Sequence, residues 1–394
     1  MTLNKIPHYY PIMLLKQGEL DAVSQVNRIC DPWYTPIFNV VPDSFWEYVT
    51  KSVNGKKKRI VDASGKFVRK PKDYRSTVEE LASNLHDHWR HEYPLLLDGH
   101  LLTGSIQHNS RVHPIGDLID AASEKEMSII PVSGMNSNLR DASYQQAIKL
   151  RIQNDRKGVC LRIYPKETEL TSFQKELDQL LRFFEVSESD VYLLLDFGYQ
   201  GSRESFLGNI KLIPYLSHWK HVIIASGAFP KNQENKTILK ANSSPRIERF
   251  DLLSWLDTVE CPEMANFRSI EFADYTCRNP DFVPLFDMKS APAAKITWTL
   301  DREFVHERGT QPRKGDLQFT TLAENLYAQE GIEEGLMVDI CDADKFLQSI
   351  FDGNPDRNIH QKHTFWIGKG VEHHITLTVL QMHDLGGYGL PEQP

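Results

Sequence analysis

The chain predicts a single (β/α)8 barrel of TIM type, and three observations carry that expectation. Eight short apolar runs recur, at 10–15, 35–41, 93–97, 128–132, 159–163, 191–195, 222–225 and 270–273. Buried parallel strands read as continuous apolar runs of this kind, without polar alternation. Stretches with helical spacing lie between them. Finally, nearly every run breaks into a polar residue or a Gly/Pro: Lys16, Asp98, Ser133, Asp196, Ser226 and Asp274 follow six of them, and Arg162 lies near the end of the fifth. In this fold the C-terminal strand ends carry the chemistry.

The 394 residues exceed the about 250 that a barrel needs, so one elaborated barrel is more economical than two unrelated domains. We place the barrel at 1–290, with a basic hairpin inserted at 51–75, and an extension of strands and helices at 291–394 packed on it. Hydrophobic residues make up 40% of the chain, enough for a large core. No apolar run approaches the roughly 20 residues that span a bilayer, so no membrane partner is expected. The opening MTLNKIPHYYPIMLLK lacks the apolar core and cleavage site of a signal peptide. Five scattered cysteines, without a CxxC pair, fit a reducing compartment. The expected location is the cytoplasm.

The first strand runs into Lys16-Gln17-Gly18-Glu19. Gly18 permits a tight turn. Glu19 falls near a helix N-terminus, where the dipole favours its charge. Lys16 would point across the barrel mouth, to hold a phosphate or carboxylate or to pair with Asp98 or Asp196. After the second strand comes the basic stretch. Ten bases against two acids leave residues 51–75 at +8, so the remainder of this −8 chain stands at −16. Its centre, KKKRIVDASGKFVRK, reads as two arms around Ala63-Ser64-Gly65. Lys56, Lys57, Lys58, Arg59, Lys66, Arg69 and Lys70 are its candidate contacts to nucleic acid or another polyanion. A solvated loop tip, with lysines that discourage edge pairing, is the plainer alternative.

Helices are expected at 76–91, opening like a capping box with Val78, Leu81, Leu85 and Trp89 on one face, and at 137–154 and 172–184. Residues 231–244 are polar and read as a long loop after the seventh strand. Beyond the barrel, 294–300 and 303–308 alternate like an antiparallel pair near the mouth, and 342–351 reads as helix.

Asp98, Asp196 and Asp274 come from three strand ends. Converging there, they could hold a divalent cation such as magnesium or manganese, or divide acid and base roles. Arg162 suits bidentate contact with an anion. Equally, Arg162 and Lys16 could neutralise the aspartates in a structural network. Asp-Phe-Gly at 196–198 matches a kinase metal motif, but no Gly-rich loop or HRD accompanies it. His373 and His374 are adjacent, so on a helix they diverge by about 100° and lack metal-pair spacing. One of them could serve as a general base, against packing of the last helix.

YYPIMLLKQGE, YTPIFNVVP, LLLDFG, EFADYT, KITWTL and TFWIGKGVEHHIT, in this order, resemble the "beta protein" family of bacterial and phage-associated proteins. The resemblance covers essentially the whole chain and matches at Lys16, Glu19, Asp196, Asp274, Trp366, His373 and His374. It implies a role in phage–host conflict and no established reaction. The basic stretch has no counterpart in that pattern. Two functions are therefore carried forward. One is a hydrolase or phosphodiesterase-type enzyme on a phosphorylated or nucleic-acid substrate, with Asp98, Asp196, Asp274, His373 and His374 as candidate catalytic groups and Lys16, Glu19 and Arg162 binding substrate. The other is a non-catalytic component of an anti-phage system that binds a ligand, a nucleotide or a protein partner.

Overall fold

Each of the eight apolar runs forms a strand: β1 (Tyr9–Leu14), β2 (Ile37–Asn39), β3 (Leu95–Asp98), β4 (Ile129–Gly134), β5 (Val159–Ile163), β6 (Val191–Tyr199), β7 (His221–Gly227) and β8 (Glu271–Asp274). In the computed structural model these close into one barrel in the order β1-β8-β7-β6-β5-β4-β3-β2, each neighbour parallel. The structure describes residues 6–385, apart from 27–29, 31–32, 64, 90–91, 103–112, 137–138, 140, 232–239, 267–268, 282–292, 312–316, 330–339 and 354–360. Most of the 231–244 loop therefore lies outside the described residues.

Both faces of the barrel wall are apolar. Ile12, Ile37, Leu96, Val132, Cys160, Leu194, Ala225 and Ala273 fill the interior. Tyr9, Met13, Phe38, Leu97, Leu161 and Phe272 face the helices instead. Those helices include α1 (Gln17–Val26), α2 (Tyr74–His88), α3 (Pro114–Ser123), α4 (Ala142–Asp155), α5 (Phe173–Phe184) and α6 (Phe250–Val259). α2 starts two residues earlier than the Ser/Thr pattern suggests. Asp73 caps it, accepting from the Ser76 amide at 2.9 Å.

The basic insertion pairs its arms around 63–65 as expected and adds a second hairpin before them. Thr50–Val53 pairs antiparallel with Lys56–Arg59, joined by Asn54-Gly55, both left-handed at φ 51° and 72°. Asn-Gly is the strongest two-residue hairpin signal, because such turns need positive φ at both positions. The arms around 63–65 meet at a Val61–Phe67 bridge, flanked by the Asp62 amide donating to the Lys66 carbonyl and the Val68 amide donating to the Ile60 carbonyl, both at 2.8 Å, and Trp46–Tyr48 pairs with Arg69–Pro71 at the base.

The extension contains β9 (Lys295–Thr299) antiparallel to β10 (Glu303–Arg308), and Arg246–Glu248 adds a third strand on the far side of β10. Phe304 of β10 packs on Ala228 and Phe229, just beyond β7, so the sheet flanks the rim of the mouth. α7 (Gln318–Tyr327), α8 (Asp342–Phe351) and the long α9 (His363–Leu385) complete the fold. Val371, Ile375, Val379 and Met382 of α9 join the core shared by barrel and helices. Two glycines let it approach. A Cβ on Gly368 would meet the Gly18 carbonyl at 3.0 Å, and one on Gly370 would meet the Thr297 carbonyl at 2.6 Å. Gly18 itself lies inside α1, where its small size admits α9 and no turn is made. No helix among the described residues is long and apolar enough to cross a membrane.

Candidate functional site

Arg162 is the hub of the barrel mouth. Its parity on β5 aims it inward, and it is 2% exposed. Nε and Nη2 donate to Asp196 Oδ2 at 2.9 and 2.6 Å, and Nη1 donates to Asp98 Oδ2 at 2.6 Å. The Tyr275 hydroxyl joins both Arg162 Nη2 and Asp196 Oδ2 at 2.6 Å. Asn39, at the end of β2, lies 3.5 Å from Nη1. The other oxygens of the two aspartates are also occupied. Asp98 Oδ1 accepts from the His100 amide at 2.8 Å and lies 2.9 Å from the His100 ring, and Asp196 Oδ1 accepts from the Gly198 amide at 2.9 Å. Burial pushes the Asp98 carboxyl up, but His100 and Arg162 outweigh it and hold Asp98 far below the usual range. Two carboxylates thus surround one guanidinium that stays charged despite its burial.

Asp274 does not join them. Ala273 of β8 faces inward, as does Tyr275 just beyond it, so Asp274 points out between the barrel wall and α9. There Tyr9 donates its hydroxyl proton to Asp274 Oδ1 at 2.7 Å, His374 Nε2 lies 2.8 Å from Oδ2, and Arg249 Nη2 lies 3.8 Å away. The His374 Nδ1 side faces the Thr299 hydroxyl at 2.9 Å. Arg249 also donates to Thr378 and Gln381 of α9 at 3.1 and 2.9 Å. Burial acts to raise the Asp274 carboxyl; His374, Arg249 and the Tyr9 hydroxyl reverse this and keep it low. The whole group is a polar seam joining the last helix to the barrel, with Asp274, His374, Arg249 and Thr299 fully buried.

Lys16 pairs with Asp43 at 3.2 Å, rather than with Asp98 or Asp196. Glu19 sits in the first turn of α1 and is 6% exposed. Burial pushes its carboxyl up to about 7 against the pull of Arg278 and Lys16. Arg278, which no sequence pattern singled out, follows β8 at the mouth. It lies 5.2 Å over the Tyr275 ring, donates to the Ile12 and Asn279 carbonyls, and its buried Nε has no hydrogen-bond partner among the described residues. His100, Tyr275 and Asn39 also escaped the sequence reading. Asn39 had a readable signal, as a polar residue breaking an apolar run at what proved to be the strand end.

His373 leaves α9 on a different side from His374. Its Nδ1 lies 2.8 Å from Asp344 on α8, and its Nε2 lies 2.7 Å from the Thr299 carbonyl. Neither histidine reaches the mouth. The five predicted acids and histidines are therefore divided among three places: Asp98 and Asp196 share Arg162 at the mouth, Asp274 and His374 meet in the seam, and His373 faces α8.

In the basic insertion, Lys58, Arg59 and Lys66 are exposed. Arg59 lies 4.0 Å over Tyr48, Arg69 lies 4.6 Å over Trp46, and Lys70 pairs with Glu47 at 2.9 Å. The side chains of Lys56 and Lys57 are outside the described residues.

No curated protein matches this sequence. Among solved structures, a GH18 chitinase from Pseudoalteromonas aurantia aligns at 10% identity over 67% of this chain and 93% of its own, with a TM-score of 0.32. The barrel assignment rests on the strand order instead. The family model described as Beta protein matches residues 9–379, nearly the whole chain, and the chain belongs to that family.

Proposed function

We propose that this chain is a non-catalytic, ligand-binding component of an anti-phage system, with the barrel mouth taking a phosphorylated or nucleic-acid ligand. The observation that carries this reading is the saturation of Arg162. Both inward aspartates are spent on that guanidinium and on backbone amides, so neither is left to bind a catalytic cation or activate water. Arg278 supplies the complementary group, a guanidinium just beyond β8 whose buried Nε has no hydrogen-bond partner among the described residues. Guanidinium geometry suits phosphate. The placement in defence comes from the sequence resemblance to phage-associated proteins.

One observation favours the hydrolase reading. Glu19, with its carboxyl near 7, has the protonation behaviour of a general acid and lies within the field of Arg278 and Lys16. The experiment that decides uses mononucleotides and short oligonucleotides with magnesium or manganese, measuring binding and turnover together. Binding without turnover, lost in Arg278→Ala, is the expected result. Turnover abolished by Glu19→Gln would establish the enzyme instead.

A further inference from the structure

Cys341, Asp344 and His373 offer a thiol, a carboxylate and an imidazole whose donor atoms all lie within 4.8 Å of one another, and all three residues are buried. We propose that they form a structural site for a divalent cation of the zinc type, which bolts α8 to α9. The site is separate from the mouth and borders the Asp274 seam at Thr299.

The orientation of His373 carries the argument. Its Nε2 faces the Thr299 carbonyl at 2.7 Å, and a carbonyl can only accept. Nε2 therefore holds the proton, and a neutral ring presents a bare lone pair at Nδ1. That lone pair faces Asp344 Oδ1 at 2.8 Å, which is also an acceptor. Two acceptors at this distance require something between them: a second ring proton, an acid proton on Asp344, or a metal ion. Metal-binding histidines characteristically give their other N–H to a backbone carbonyl or carboxylate in this way. Trp298, stacked at 4.7 Å and 21° to the ring, holds the imidazole plane.

The third donor adds a soft ligand to the set. Cys341 Sγ lies 3.1 Å from Asp344 Oδ2 and in the metal-free state donates its proton there. A dication entering the triangle displaces that thiol proton and the Nδ1 proton. The product is a thiolate, a carboxylate, a neutral imidazole and a 2+ ion. This set carries no net charge, as burial demands. Thiolate with imidazole selects zinc over magnesium or calcium. The frame is held in advance, because Glu372 accepts from the Ala343 amide at 2.9 Å and so ties the start of α8 to α9 beside His373.

The test uses the full chain, stripped with chelator, then titrated with zinc and separately with cobalt(II). We expect one zinc per chain, a rise in melting temperature on zinc addition, and a thiolate-to-cobalt charge-transfer absorption. Cys341→Ser, which keeps the side chain's shape, should abolish that absorption and weaken zinc binding at least about tenfold, as removal of a site's supporting groups does. His373→Gln should do the same, and if it fails to fold, Cys341→Ser still decides. A folded wild type that takes up no stoichiometric zinc would overturn the site. So would a Cys341→Ser variant that binds as tightly as wild type.

Discussion

The mouth and the outer seam are two buried polar networks built from the same kind of residue, an aspartate at a strand C-terminus. At the mouth, Asp98 and Asp196 face inward and share one arginine. In the seam, Asp274 faces outward and is shared by a histidine, a tyrosine and a more distant arginine. The strand ends are equivalent in the fold, so only parity separates the two fates. A one-residue change of phase turns a site group into one that fastens the last helix. Strand-end position therefore nominates residues for the mouth, and the pleat decides among them.

The largest expected effect comes from breaking the mouth. Arg162→Met takes the shared guanidinium from two buried carboxylates and leaves His100 beside Asp98 alone, which costs about 3–5 kcal/mol. Chemical denaturation should show this as a large fall in midpoint. Adding Asp98→Leu and Asp196→Leu to that variant should recover most of the deficit, because an apolar replacement of a whole buried ionic group is near neutral. If the triple variant stays as unstable as the single one, the network is not a self-contained plug.

The seam should respond less. Asp274→Asn keeps the shape but removes a charge that accepts from Tyr9 and faces His374, at a cost of about 2–3 kcal/mol. A double-mutant cycle with His374→Gln should show a coupling of about 1 kcal/mol or more. Ligand binding at the mouth should not change. Additive effects, or altered binding, would erase the distinction between the two networks.

Titration sharpens the comparison, because the carboxyls act in opposite directions. Asp98 and Asp274 have lowered values in the fold, so their contribution is full above the usual carboxylate range and lost as pH falls through it. Glu19 has a raised value, so its protonated form stabilises at low pH, and that stability is lost as pH rises from about 4.5 through about 7. Glu19→Gln should flatten this decline and be more stable than wild type at pH 8, by about 1–3 kcal/mol. Melting temperatures from pH 4 to 9 measure it. An unchanged slope would mean that Arg278 and Lys16 already neutralise Glu19.

The barrel was legible because parallel strands buried on both faces give long apolar runs, and all eight appear where those runs lie. The same property hid the site. With leucine on both sides of a strand, as in LLLD and LLLDFG, no alternation reveals which way the terminal aspartate points. Asp274 shows the consequence, since EFADYT reads like the other two and turns the opposite way. Arg278 and His100 lie in loops beyond the strands, where no period operates. The histidine pair was readable in part, as the expected divergence on a helix is what sends His374 to the barrel and His373 to α8.

The smallest effect on stability, and a distinct effect on binding, is expected where charge is exposed. The insertion carries +8 on a −16 body, so its field attracts polyanions while the rest of the surface repels them. Arg59 over Tyr48 and Arg69 over Trp46 add aromatic faces beside the charges, which suits bases as well as phosphates. Replacing Lys56, Lys57, Lys58 and Arg59 with Ser removes one hairpin arm's charge and the stacking of Arg59 on Tyr48. That stacking contributes about 0.5–1 kcal/mol at an exposed site, so the melting temperature should barely move. Single- and double-stranded nucleic acid should bind the wild type in a salt-dependent manner. Each duplex phosphate that the variant no longer neutralises should reduce the log–log salt slope by about 0.9. Measured at two salt concentrations, equal binding by both proteins, or none by either, would return the insertion to ordinary solvated surface. Weakened binding confined to low salt would instead place the arm as a guide that delivers a polyanion towards Arg278.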